Sequence, residues 1–197
     1  MNVNAYIKKF GSKTFDERPF SDVDALILAE LPMINYEPLL NSDGEIQLCN
    51  IKPEDITDEL FADSPDRKFN RNQLINMINS KRFRELKVTN IRRIFSDEAF
   101  NQFYAVTVIL PTNELYIVFR GTDITATGWK EDFVIALKDT FLGQLQGLEY
   151  VRDIIHSRDE NFYIGGHSKG GNIAFFATLH LTEEEANRLI KAYSPYR

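Results

Sequence analysis

Five residues near the C-terminal end of the chain restrict its fold more than any others: Gly166-His167-Ser168-Lys169-Gly170. They follow the apolar run Phe162-Tyr163-Ile164 and precede a helix-like run opening at Asn172-Ile173-Ala174. G-x-S-x-G between a strand and a helix is the pattern of a nucleophile elbow. A serine on that strained turn lifts its hydroxyl above the end of a parallel strand. Glycines two before and two after let strand and helix approach where a Cβ would collide. The helix that begins there points its first N–H groups toward the reacting oxygen. Ser168 is therefore the candidate nucleophile, with Gly166 and Gly170 in support. An ordinary glycine-rich turn is the alternative.

A second element lies upstream. Leu115-Tyr116-Ile117-Val118-Phe119 reads as a fully buried strand, short, apolar, and rich in β-branched and aromatic residues. It runs into Arg120-Gly121-Thr122-Asp123, and Gly128-Trp129-Lys130-Glu131-Asp132-Phe133 follows. A serine hydrolase needs two N–H donors for its oxyanion: one from the residue after the nucleophile, here Lys169, and one from a loop after an earlier strand. The Arg120–Thr122 turn stands in the right order to supply the second. A polar turn closing a core strand explains the same residues. Asp132 either braces Arg120 through an Arg–carboxylate pair or joins Asp123, Lys130 and Glu131 on a solvated helix face.

Together the two elements resemble the class 3 lipases, an α/β-hydrolase family with an Arg-Gly-Thr/Ser turn, a nearby Trp-x-x-Asp and a later G-H-S-x-G elbow. The chain is more similar still to a bacterial branch of lipase-like proteins of unknown function. That branch carries Arg-Gly-Thr-Asp, Gly-Trp-Lys-Glu-Asp-Phe and Gly-His-Ser-Lys-Gly-Gly-Asn, as this chain does at 120–123, 128–133 and 166–172. Its opening is also similar at Phe15, Arg18-Pro19-Phe20 and Val23-Asp24-Ala25-Leu26-Ile27-Leu28-Ala29. By position, the resemblance implies Ser168 as nucleophile and Lys169 and Thr122 as oxyanion-hole residues, acting on ester bonds.

The resemblance stops at the C-terminus. A complete triad of this type runs serine, acid, histidine in chain order. Only 29 residues follow Ser168, and the chain ends in Pro195-Tyr196-Arg197 where the similar proteins continue into an Asp-Gly-Pro-Gly segment. The expectation is a chain lacking the later strands that carry acid and base. None of the three histidines replaces the base. His167 leaves the elbow in a different direction from Ser168. His180 lies twelve residues into the following helix, about 18 Å away at about 1.5 Å per residue. His156 closes the helix that feeds the elbow strand, at the opposite edge of the sheet.

Composition narrows the partners. Hydrophobic residues make up 43% of the 197, with 15 Phe, enough for one sizeable core. Phe15, Phe20 and Tyr36 read as core or groove-lining residues. A net charge of −6 argues against nucleic acid. No phosphate loop, C-x-x-C or H-E-x-x-H is present, so neither cofactor nor metal is expected. The lone Cys49 excludes an internal disulfide and fits a reducing compartment. No apolar stretch reaches the roughly 18 residues of a membrane span, and the N-terminus does not have the order of a signal peptide. A cytoplasmic location follows as the expectation.

The periodicities predict a helix at 22–31, short helices and turns over 36–70, and an amphipathic helix at 70–81. Strands follow at 91–95, 102–110 and 114–119, the last two joined as an antiparallel hairpin through Pro111-Thr112-Asn113-Glu114. Helices at 129–138 and 142–157, the elbow strand and its helix, a short acidic helix at 182–188 and a strand at 188–194 complete the chain. The expected fold is one α/β-hydrolase-like domain over 1–197, a mixed sheet in 86–197 preceded by a mostly helical part in 1–85. The expected function is hydrolysis of carboxylic esters on small or lipid-like substrates. A non-catalytic binding or scaffold domain is the alternative. The edge at 188–194 is expected to draw a second copy of the chain.

Overall fold

The computed structural model describes residues 3–96, 101–121 and 141–194. Among them, six strands form one mixed sheet with helices on both faces. The strands are β1 (Ile46–Gln47), β2 (Lys87–Ser96), β3 (Asn101–Ile109), β4 (Leu115–Phe119), β5 (Phe162–Gly166) and β6 (Leu189–Tyr193), and they lie side by side in chain order. Pairings from β1 to β4 are antiparallel; β4, β5 and β6 run parallel.

The switch follows from the connections. Between β3 and β4 the chain has only Leu110 to Glu114, closed by Leu110 N–H donating to Glu114 O at 2.9 Å. Asn113 takes the left-handed conformation there at φ 75°, which asparagine tolerates better than most residues. So short a link permits only an antiparallel neighbour. From β5 to β6 the chain instead passes through α5 (Lys169–Leu179) and α6 (Glu183–Ala186). A helical crossover of that length returns the chain parallel.

β4 is the centre of the sheet, and all five of its residues are buried. Strand alternation sends Tyr116 and Val118 to one face and Leu115, Ile117 and Phe119 to the other. The first face is covered by α1 (Val3–Phe10), α2 (Asp22–Leu28), α3 (Arg67–Ile78) and the 3-10 turns between them. The second is covered by α4 (Leu142–Ser157) and α5.

The elements depart from the sequence reading in small ways with local causes. The helix expected over 22–31 ends at Leu28, and a 3-10 turn at Leu31–Met33 accommodates Pro32. The helix expected at 70–81 starts three residues earlier, at Arg67, because Asp66 caps it by accepting from Phe69 N–H at 2.9 Å. The helix expected at 129–138 lies outside the described residues. A core contact that no sequence pattern marks joins the N-terminal part to the segment after α3. Arg82 and Asp24, both fully buried, form a two-bond ion pair at 2.8 and 2.7 Å. Arg82 also donates to the carbonyls of Thr14, Arg18 and Pro19 and lies 4.0 Å over the Phe15 ring. It thus satisfies the irregular backbone of 13–19, which regular structure does not.

β6 is the last strand of the sheet among the described residues. Its pairing slips by one residue, from Phe162↔Leu189 to Tyr163↔Lys191, leaving Ile190 without a partner across the ladder. Ile190 is 46% exposed, and Lys191 reaches Asp22 at 2.7 Å. A bulge and a lysine are devices by which natural sheets guard an edge. No helix among the described residues is long and apolar enough to cross a membrane.

Candidate active site

The register of the two central parallel strands assembles the site. Phe119 of β4 pairs with Gly166 of β5, so Arg120-Gly121 and His167-Ser168 leave the sheet side by side at the same end. The closeness is measured at Gly121: a Cβ there would lie 2.9 Å from His167 O and 3.4 Å from Met33 Cε.

Ser168 stands exposed between β5 and α5 with φ 54° and ψ −118°. A non-glycine residue in so sparsely populated a region costs about 1–3 kcal/mol and persists only where its surroundings enforce it. The surroundings here are two glycines that admit no side chain. A Cβ on Gly166 would meet Phe119 O and Gly170 C at 2.6 Å; one on Gly170 would meet Phe119 O at 2.2 Å. Gly170 N–H donates to His167 O at 3.0 Å and Asn172 N–H to Ser168 O at 3.1 Å, which starts the helix directly after the strained residue. Gln144 braces the same turn from α4. Its amide N–H donates to Asn172 Oδ1 at 2.8 Å, and its Oε1 accepts from Phe141 N–H at 3.1 Å.

Lys169 is the first residue of α5, with its backbone nitrogen beside the elbow. Its side chain is buried and Nζ donates to Gln102 O of β3 at 2.8 Å. The side chain therefore ties the start of α5 to β3, a link that the motif does not signal. Arg120 is buried too, 5% exposed. Its backbone N–H donates to Tyr104 O at 2.9 Å, its guanidinium lies 5.0 Å over the Tyr104 ring, and Nη1 reaches Asp63 Oδ2 at 3.4 Å. Burial pushes the Tyr104 phenol up to about 12, against the pull of Arg120 beside it. Thr122 and Asp132 lie outside the described residues. Among those described, Asp63 provides the carboxylate for Arg120. No sequence signal marks Asp63, which sits on an irregular stretch between a 3-10 turn (Asp58–Phe61) and α3.

The histidines lie as follows. His156, at the end of α4, shares Glu185 with Arg152, at 3.1 and 3.0 Å. Glu185 belongs to α6, which leads into the start of β6, so this cluster sits at the opposite end of the parallel strands from Ser168. Burial would raise the Glu185 carboxyl, but the Thr182 N–H and Arg152 outweigh it and hold the group below the usual range. His180 closes α5, stacked 4.0 Å over Phe176 with Nδ1 2.8 Å from Phe176 O. His167 is half-buried against Gly121. Neither His156 nor His180 is brought to the elbow.

In comparisons with known proteins, the Mbeg1-like family model matches residues 77–195. No curated protein and no solved structure matches the chain significantly. The match overturns the resemblance to the class 3 lipases and their bacterial branch, since the matching model is not that of a lipase or α/β-hydrolase family. The three short blocks that carried the resemblance are too few residues to fix a family. The matched region runs from the end of α3 through β6 and takes in both the Arg120 turn and the elbow, well over half of the chain, which therefore belongs to the Mbeg1-like family.

Proposed function

We propose that the chain is a serine-nucleophile domain on an α/β-hydrolase type of sheet, acting on carboxylic esters. The observation that carries this reading is the backbone of Ser168, φ 54° and ψ −118°, held by close packing of Gly166 and Gly170 at the junction of β5 and α5. A fold that enforces a strained serine at an exposed tip stores strain where chemistry would use it. In this reading Ser168 Oγ attacks the ester carbonyl carbon. The backbone N–H groups of Lys169 and Thr122 hold the oxyanion, and a base takes the hydroxyl proton and passes it to the leaving alkoxide. Water then releases the acid and restores the serine. Neither His156, held by Glu185, nor His180, stacked on Phe176, is placed to take that proton. The lone Cys49 supports a reducing, cytoplasmic setting.

The placement of His156 and His180 also favours a second reading, a non-catalytic binding domain that keeps the elbow as architecture. The two separate by experiment. A serine hydroxyl without a base is a poor nucleophile at neutral pH. The chain alone should therefore hydrolyse p-nitrophenyl esters barely above background, and Ser168→Ala should change little. Imidazole added to solution supplies a base. A fluorophosphonate then reports directly: the Ser168 Oγ–P bond forms, fluoride leaves and imidazole takes the proton. An imidazole-dependent adduct mapped to Ser168, and absent from Ser168→Ala, supports the nucleophile. Labelling that leaves out Ser168, or spreads evenly over surface hydroxyls, leaves the binding domain as the answer.

A further inference from the structure

Helix α3 carries more aliphatic surface than the core uses. Leu74 and Met77 are fully buried in the core on the first face of the sheet. Ile75 and Ile78 each follow one of them by one residue, which turns them about 100° round a helix of 3.6 residues per turn. Ile75 is 37% exposed there. An irregular segment runs beside this flank of the helix. Ile51 follows the 3-10 turn Leu48–Asn50, Pro53 opens the turn Pro53–Asp55, and Ile56 follows that turn with its N–H donating to Pro53 O at 3.3 Å. Ile51, Pro53 and Ile56 from this segment and Ile75 and Ile78 from α3 line a cavity of about 270 Å³. No aromatic ring lines it. A wall of five aliphatic residues suits a flexible hydrocarbon chain.

Two polar residues of the same helix complete the lining. Arg71 and Asn79 stand four residues before and four after Ile75, on one stripe of α3. Eight residues make about 12 Å of helix, so the cavity is a slot along α3 with Arg71 towards one end. Arg71 Nη2 donates to Asp58 Oδ1 at 2.7 Å, and the guanidinium lies 5.7 Å from the centre of the Phe61 ring. Its Nε and Nη1 have no partner among the described residues. The Asp58 side chain is 91% exposed, and an ion pair so open to water contributes little and is screened by salt. A guanidinium holds five N–H groups in a planar fork that matches a carboxylate, and Asp58 takes one. None of the lining residues belongs to the elbow or to the Arg120 turn, so the slot stands apart from the reading of Ser168.

We propose that this slot binds a straight-chain aliphatic carboxylate, with the carboxylate on Arg71 and the chain along Ile75 and Ile78. Burial of the chain against aliphatic side chains supplies affinity, and the free edge of the Arg71 fork supplies the preference for an anion. The volume lies just below the roughly 300 Å³ at which small-molecule pockets begin, which limits the occupant to a short chain.

Calorimetric titration of the full chain tests it, with butanoate, hexanoate and octanoate as probes, each below its micelle concentration, and 1-hexanol as the uncharged control. The variants are Arg71→Gln, which removes the fork, and Ile75→Asp, which sets a negative charge in the slot from a partly exposed position. Circular dichroism checks that each is folded. One saturable site per chain is expected, with affinity rising about fourfold for each added methylene. 1-Hexanol should bind about tenfold more weakly than hexanoate. Arg71→Gln should bring hexanoate down to the level of 1-hexanol, and Ile75→Asp should lose binding of every carboxylate. Failure of octanoate to saturate, an affinity independent of chain length, or binding unchanged in both variants overturns the proposal. 1-Hexanol binding as tightly as hexanoate overturns the assignment of a carboxylate to Arg71.

Discussion

Replacing Gly170 by alanine measures how closely α5 approaches β4, on which the shape of the elbow depends. A Cβ at this position would lie 2.2 Å from Phe119 O, 2.8 Å from Phe119 C and 3.0 Å from Arg120 O. The first distance is about 1 Å short of the 3.4 Å at which ordinary contact begins. All three atoms are backbone, of the end of the buried central strand and the residue after it, so no side-chain rotation relieves the collision. Overpacking of this kind costs about 1–3 kcal/mol, and backbone contacts place Gly170→Ala near the top, about 3 kcal/mol. Alanine recovers about 1 kcal/mol of helix propensity in α5. The net loss is about 2 kcal/mol, a fall in Tm of about 4–8 °C for a chain of this size. Thermal unfolding followed by far-UV circular dichroism gives the answer. Gly147→Ala is the comparison: its Cβ would meet only side chains closely, Ile173 Cγ2 at 2.2 Å and then Phe119 ring carbons at 3.6 Å. A methyl can move aside, so this variant should lose less. Gly170→Ala melting at or above the unaltered chain would refute the close approach.

Three other outcomes follow from the strained and buried residues. Ser168→Gly, freed from the φ 54° restriction, should be about 1 kcal/mol more stable than Ser168→Ala in urea unfolding; equal stability would mean that the elbow is not strained. Arg82→Met should cost about 3–5 kcal/mol, because it strands a fully buried Asp24 and the carbonyls of Thr14, Arg18 and Pro19. A loss under about 1 kcal/mol would show that this pair is not part of the core. Burial raises the phenols of Tyr36, Tyr104, Tyr116, Tyr150 and Tyr193 above their usual value of 10.0, with Tyr104 and Tyr193 reaching about 12. A group raised on folding contributes stability that is complete below its unfolded value and is lost as pH climbs through the folded one. The fold should therefore weaken between about pH 10 and 12. In a phenolate absorbance titration the buried tyrosines should ionise only as the ellipticity falls. Ionisation of all eight near the usual value, with the ellipticity intact, would contradict this.

What could be read from the sequence was what neighbours along the chain impose on one another. The β3–β4 hairpin is fixed by a link too short for anything but an antiparallel turn. The elbow is fixed by glycines two residues either side of Ser168, and helix α4 by the spacing of its buried Tyr150, Val151, Ile154 and Ile155. Family was another matter. The expected lipase family is corrected by the match over 77–195 to the Mbeg1-like family, because a handful of residues does not report descent. The tertiary structure alone decided which distant residues meet. Asp63 comes to Arg120 across 57 positions, Lys169 to Gln102 across 67, and Arg82 to Asp24 across 58. Each of these contacts crosses from one layer or strand to another. Its partners carry no shared spacing, because the packing of the sheet against its two covers sets their distance and the chain between them does not.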